Sequence, residues 1–150
     1  MADSYLSLYM HVVFSTKDRQ PLIIPDIQNR LWAYMGGIAR ENHMKASSVG
    51  GMKDHVHILL SLPATLSVAK GVQLIKGGAS KGVHDTFPHL RRFAWQEGYG
   101  AFSVSQSSTP SVIEYIQGQA RHHRKITFEE EFVALLRRHG IKFDPKYVFG

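Results

Sequence analysis

The eight residues HVHILLSL, positions 55 to 62, constrain the fold more than any other stretch of this chain. They are too few for an ordinary helix and too apolar for a loop. Pro63 closes them on one side, and a turn after Gly50-Gly51-Met52 precedes them on the other. That combination predicts a buried strand. A buried strand needs neighbours for its backbone groups and cover for its faces. The rest of the sequence must supply both.

Residues 5 to 15, YLSLYMHVVFS, read as a strand rich in aromatic and β-branched residues, and MKASSVGGM, 44 to 52, as a short strand running into the turn. RRFAWQEGYGAFSVS, 91 to 105, predicts a last strand broken at Gly98-Tyr99-Gly100. Between the strands, Asp26 to Glu41 carries Ile27, Leu31, Tyr34, Met35 and Ile38 at helical spacing, with Asp26 as N-cap. Residues 63 to 88 predict a second helix with Leu66, Val68, Val72 and Ile75 on its apolar side, fraying after Gly77 because of its glycines. A third helix opens at Ser108 or Thr109 with Pro110 in its first turn and runs to Lys125. A fourth starts at Thr127, where Glu130 completes a capping box, and ends at Gly140. The tail from Ile141 is irregular or a short edge strand. The order β-α-β-β-α-β, then helices, predicts an α+β, ferredoxin-like antiparallel sheet with helices on one face and a C-terminal helix beyond it, all in one domain over 1–150.

Charge and composition narrow the partners. Eighteen Lys and Arg face twelve Asp and Glu, for a formal charge of +6 and a pI near 9.7. This favours a polyanion, nucleic acid before membrane. The chain has no cysteine, which removes disulfides, thiolate nucleophiles and zinc–cysteine sites. MADSYLSLYM lacks the basic start and apolar run of a signal peptide, and no segment approaches the ~18 apolar residues of a membrane span. The expected location is cytoplasmic.

On a strand, residues two apart share a face, so His55 and His57 project together. Such a pair either chelates a divalent metal with one further ligand or is held half-buried by backbone hydrogen bonds. On the third helix Tyr115 and Gln119 stand four apart and His122 seven apart, on one stripe. The phenol is a possible nucleophile and the amide oxygen a hard metal ligand. The bland alternative has Tyr115 packing inward and Gln119 merely solvated. In QARHHRK, 119 to 125, the cations suit a helix C-terminus or meet phosphates. Asp54 reads as a turn residue, with the alternative that it orients one of the imidazoles.

Taken in order, these segments resemble the single-tyrosine HUH transposases, the TnpA-type enzymes of bacterial insertion sequences. HUH denotes histidine, bulky hydrophobe, histidine, here His55-Val56-His57. YMHVVFSTKDRQPLI resembles the family's first strand and loop, GMKDHVHILLSLP its metal strand, and FAWQEGYGAFSVSQS its last strand. VIEYIQGQARHHRKITFEEEFVALLRRHGI is similar to its tyrosine helix and the next one. Lys53 departs from the proline frequent before the aspartate, at a turn and at no ligand. The HHRK and FDPKY stretches look closest to the REP-associated branch.

The resemblance implies that His55, His57 and Gln119 bind Mg²⁺ or Mn²⁺. It implies that Tyr115 attacks a phosphodiester of single-stranded DNA beside a hairpin, leaving a 5′-phosphotyrosine bond and a free 3′-OH. Arg91, Arg92, Arg121, Arg124, Lys17 and Arg19 are the cations nominated for DNA contact. The expected assembly is a homodimer whose composite sites pair one chain's Tyr115 with its partner's histidines; the resemblance to the REP-associated branch leaves open a monomer with the whole site in one chain. Gly98, Gly100 and the segment SQSSTP would give the helix its freedom. The alternative is a domesticated protein that binds single-stranded DNA or RNA hairpins without transposition. An RNA-binding sheet is disfavoured because HVHILLSL has no aromatic. A two-metal hydrolase is disfavoured because Asp54 is the only carboxylate expected near the histidines.

Overall fold

The computed structural model describes residues 3–149. Four strands, β1 (Tyr9–Ser15), β2 (Lys45–Met52), β3 (His55–Ser61) and β4 (Gly100–Val104), form one antiparallel sheet in the order β2-β3-β1-β4. HVHILLSL is thus an inner strand, as its composition requires. Helices α1 (Pro25–Glu41) and α2 (Val68–Thr86) cover one face. There Ile27, Leu31 and Met35 of α1 and Val72, Ile75 and Ala79 of α2 meet Val12, Phe14, Val56, Ile58 and Leu60 of the inner strands. This is the expected ferredoxin-like arrangement.

The opposite face belongs to the C-terminal helices, α3 (Thr109–Gln117), α4 (Gln119–His122) and α5 (Phe128–Arg138). Phe128, Phe132, Leu135 and Leu136 of α5 pack on Val13 and Phe102. The register pairs Val13 with His57 and Ser15 with His55, so the two histidines lie on this same face, beneath the C-terminal helices. Among the described residues no helix is long and apolar enough to cross a membrane.

Several boundaries differ from expectation. Residues 5–8 precede β1, and Tyr5 and Leu6 are exposed. Asp26 is not the N-cap of α1: the helix starts at Pro25 after Ile24, and Asp26 sits in the first turn, where its charge suits the dipole. Ser67 caps α2, its hydroxyl accepting from the Lys70 amide at 3.0 Å. α2 does not fray at Gly77 but runs to Thr86. Its glycines are a packing device: a Cβ on Gly78 would lie 2.7 Å from Ile38 Cδ1, and one on Gly82 would lie 3.0 Å from the Tyr34 ring. The broken strand predicted over 91–105 is β4 alone. The residues before it are a loop whose Trp95 indole donates to the Lys76 carbonyl at 3.0 Å, while the Lys76 ammonium donates to the Gln96 and Gly98 carbonyls. The single helix predicted from 109 to 125 breaks at Gly118, which closes α3 with a non-helical ψ of 13°. The capping box of Thr127 and Glu130 is present. Among its described residues the tail forms turns and no strand.

Candidate active site

The site is assembled by close approach of α3 to the sheet edge. Gly50 on β2 makes that approach possible, because a Cβ there would stand 2.7 Å from the Ile116 carbonyl oxygen. Gln117 fixes the same contact by donating to Ser48 Oγ at 2.8 Å. Next along β2, Gly51 has φ of 148°, and a Cβ would come within 2.2 Å of the His55 carbonyl. Only glycine suits this turn into the histidine strand. Ile116 is buried, and Tyr115 beside it meets the sheet face that carries the histidines, its ring 5.7 Å from that of His57.

His55 and His57 are fully buried, not half-buried, and neither is held by backbone. Each ring is anchored through Nδ1 and presents Nε2 to the site. His55 Nδ1 donates to Asp54 Oδ1 at 2.7 Å. His57 Nδ1 lies 2.8 Å from Nε2 of His11 on β1. Asp54 is therefore both the turn residue expected and an orienting partner of an imidazole, the arrangement that holds a ligating histidine in place. Gln119, also buried, puts Oε1 2.9 Å from His55 Nε2.

The centre of the site is a residue the sequence reading missed. Glu131 of α5 is 1% exposed. Its Oε1 lies 3.0 Å from His57 Nε2, 3.1 Å from His123 Nε2 and 3.4 Å from His55 Nε2. Its Oε2 accepts from the Tyr115 hydroxyl and from Gln119 Nε2, the latter at 3.1 Å. His122 Nε2 is 3.3 Å from the Tyr115 oxygen, so the predicted stripe of Tyr115, Gln119 and His122 does converge despite the break at Gly118. The expectation that Asp54 is the only nearby carboxylate is overturned. A signal existed: Glu131 falls three residues after Phe128 and four before Leu135, inside the apolar stripe of α5.

Burial shapes the electrostatics. It holds the His57 imidazole below its ordinary value although Glu131 pulls the other way, so the ring is neutral. Burial, reinforced by His57, lowers His11 to about 3. Burial alone would raise the Glu131 carboxyl, but hydrogen bonds from His57 and Tyr115 outweigh it and keep the group ionised. Tyr115 is pushed above the usual phenol range, first by burial and then by the Glu131 carboxylate. His55, His57, His123 and Glu131 each bring a ligand atom to within 4.8 Å of the others. Three imidazoles and a carboxylate, with the Gln119 amide oxygen beside them, are a donor set that suits a divalent cation.

Tyr115 also lines a cleft of about 590 Å³ with Ser111, His122, Glu131, Arg138 and His139. None of the six cations nominated for DNA contact lines it. Arg91 and Arg92 border a separate hollow beside Leu22 and His89. Arg121, Arg124 and Lys17 are exposed elsewhere, and Arg19 is engaged within the chain, donating to the Phe149 carbonyl at 3.2 Å with Glu129 at 3.8 Å. Arg138, which was not nominated, is the arginine of the cleft.

Residues 4–119 match the family described as IS200-like transposases. The chain is 24% identical over 117 residues to the ISDra2 transposase TnpA of Deinococcus radiodurans, covering 75% of this chain and 84% of that protein. It is 24% identical over 114 residues to the transposase for insertion sequence element IS200 of Salmonella typhimurium, covering 73% and 74%. A crystal structure of a protein from Deinococcus radiodurans R1 assigned as a transposase superposes with a TM-score of 0.62 at 22% identity, over 79% of this chain and 96% of that one. The structure of a REP-associated tyrosine transposase bound to a REP hairpin superposes with a TM-score of 0.59 at 12% identity, over 82% and 74%.

Proposed function

Because this chain belongs to the IS200-like transposase family, we propose that it cleaves and rejoins single-stranded DNA at hairpin-marked ends, with Tyr115 as the nucleophile. The observation that carries this is the Tyr115 hydroxyl donating to a buried carboxylate that also touches His57. That carboxylate stands where an acceptor for the phenol proton is needed. The relative solved with a REP hairpin supports the choice of a hairpin-bearing strand.

His55, His57 and Gln119 would hold Mg²⁺ or Mn²⁺, which neutralises charge on a scissile phosphate when bound. The chain's own part is to position and to move a proton. Tyr115 Oη forms a bond to phosphorus and the P–O3′ bond breaks. The tyrosine proton passes to Glu131 Oε2, and the departing 3′ oxygen takes a proton from solvent. The tyrosine ester keeps the phosphodiester energy, so a 3′-OH can reverse the step without a nucleotide cofactor. The cleft beside Tyr115 gives the strand a path past Arg138 and His139, with serine hydroxyls on its wall.

In the expected homodimer with composite sites, Tyr115 would have to exchange the Glu131 of its own chain for its partner's. We favour the arrangement in which one chain supplies every group, since Tyr115, His57 and Glu131 already meet there. The test is a denaturing gel with labelled single-stranded hairpin DNA and divalent metal. Wild type should give a protein–DNA adduct that chelator prevents. Tyr115→Phe should bind the hairpin and give none. An adduct persisting in that variant would refute the nucleophile.

A further inference from the structure

The cleft beside Tyr115 has walls of its own, apart from the histidine cluster. α5 ends there in Arg138, with His139 as its C-cap. β4 contributes Phe102 and Ser103, and α3 contributes Ser111, one turn before Tyr115. The His139 ring is exposed, yet it is fixed twice. Its Nδ1 lies 2.9 Å from the accepting Leu135 carbonyl, and its plane stacks on the buried Phe102 ring at 4.5 Å and 26°. An exposed imidazole held flat against an aromatic ring offers its second face as a platform, and a nucleobase is the flat partner that such a face takes. Arg138 is exposed as well, and among the described residues no carboxylate lies within ion-pair distance of it. Its guanidinium fork is open to a phosphate. At about 590 Å³ the cleft falls within the ~300–1,000 Å³ of ordinary ligand pockets, which is room for a nucleotide and not for a duplex. The Ser103 and Ser111 hydroxyls stand outside the hydrogen bonds that Ser105 shares with Ser107 and Ser108. A hydroxyl donates or accepts, so such a wall suits the edge of any base.

We propose that this cleft seats one unpaired nucleotide flanking the scissile phosphate, with its base stacked on His139 and its own phosphate held by Arg138. This rests on the reading of Tyr115 as the nucleophile and adds what holds the strand still at the point of attack. Tyr115, Arg138 and His139 line one cavity, so a nucleotide anchored on the last two brings its neighbouring phosphate to the first. In-line attack depends on that placement. Stacking and charge carry the recognition, so it tolerates any base but not the loss of one. Arg138 and His139 both lie beyond residue 119, outside the span that the family match covers.

The experiment follows single-turnover adduct formation by the full chain on hairpin DNA that carries an abasic residue at each position of its single-stranded tail in turn. Wild type should slow about 5–150-fold, the worth of one stacked base, when the abasic residue flanks the scissile phosphate on one side. Exchanging that base for another should cost less than removing it. His139→Ala should lose the same factor on intact DNA and no more on the abasic strand, because both changes remove one stack. Arg138→Gln should slow the intact and the abasic strand by an equal factor. Wild type indifferent to abasic residues on both sides, or His139→Ala still slowed by the full factor, would overturn the pocket while the Tyr115 adduct stands. Wild type that forms no adduct on any strand would refute the nucleophile instead. The pocket is then read from binding alone, with a fluorescent purine analogue placed along the tail. Its emission should be quenched at one position on wild type and not on His139→Ala, and quenching at no position would overturn the pocket. The abasic scan needs no variant, so misfolding of a substituted chain leaves it decisive.

Discussion

Seating of the tyrosine helix on the sheet rests on one missing methyl group. Gly50→Ala would place a Cβ 2.7 Å from the Ile116 carbonyl oxygen and 2.9 Å from Ile116 Cγ2. Ordinary contact begins near 3.4 Å, so α3 must back away by about 0.7 Å or β2 must bend by as much. The obstacle is backbone, which no rotamer change relieves. Overpacking of this kind costs about 1–3 kcal/mol. The displaced helix carries Tyr115, and a misplacement approaching 1 Å costs up to ~100-fold in rate. The assays are urea unfolding, for the midpoint, and initial rate of adduct formation on hairpin DNA. Gly37→Ala is the control: its Cβ would meet nothing within 4 Å inside α1, so it should stabilise by about 0.5–1 kcal/mol and leave the rate unchanged. A Gly50→Ala protein with wild-type midpoint and wild-type rate would refute this account of how the helix is placed.

Mixing Tyr115→Phe with His57→Ala chains should restore no adduct if each chain completes its own site; recovery of adduct in the mixture would demonstrate composite sites. Metal-free protein should lose stability as pH falls. His11 in the folded chain titrates near 3 and in the unfolded chain near 6.5, so the unfolded state binds more protons between those values and stability rises with pH there. His11 alone should make the protein about 2 kcal/mol less stable at pH 5 than at pH 7, read as a shift in the urea midpoint, and a His11→Asn variant that keeps the full shift would remove His11 as its source.

The parts of the site that were legible in the sequence are those set by short-range periodicity. Alternation along β3 puts His55 and His57 on one face whatever surrounds them, and a four-residue step carries Tyr115 toward Gln119 even across the break at Gly118. What was illegible depends on pairs distant in sequence. Gly50 and Ile116 are separated by a helix and two strands, and nothing local marks the glycine as the seat of α3. Glu131 failed for a different reason. Three consecutive glutamates in the first turn of α5 read as dipole and capping chemistry, and Glu130 does fulfil that role. Only the apolar stripe separates Glu131 from its neighbours, and the stripe is informative once one asks why a carboxylate lies within it. A lone buried carboxylate is costly unless it is ligated or fully hydrogen-bonded. Here four imidazoles, an amide and a phenol surround it, so the carboxylate is fully partnered and the candidate site is gathered around it. The strand that carries the histidines and the helix that carries the tyrosine lie in the span shared with the family, whereas the carboxylate that joins them comes from the helix beyond it. Removing α5 from its place would therefore disconnect Tyr115 from the histidines without altering either motif.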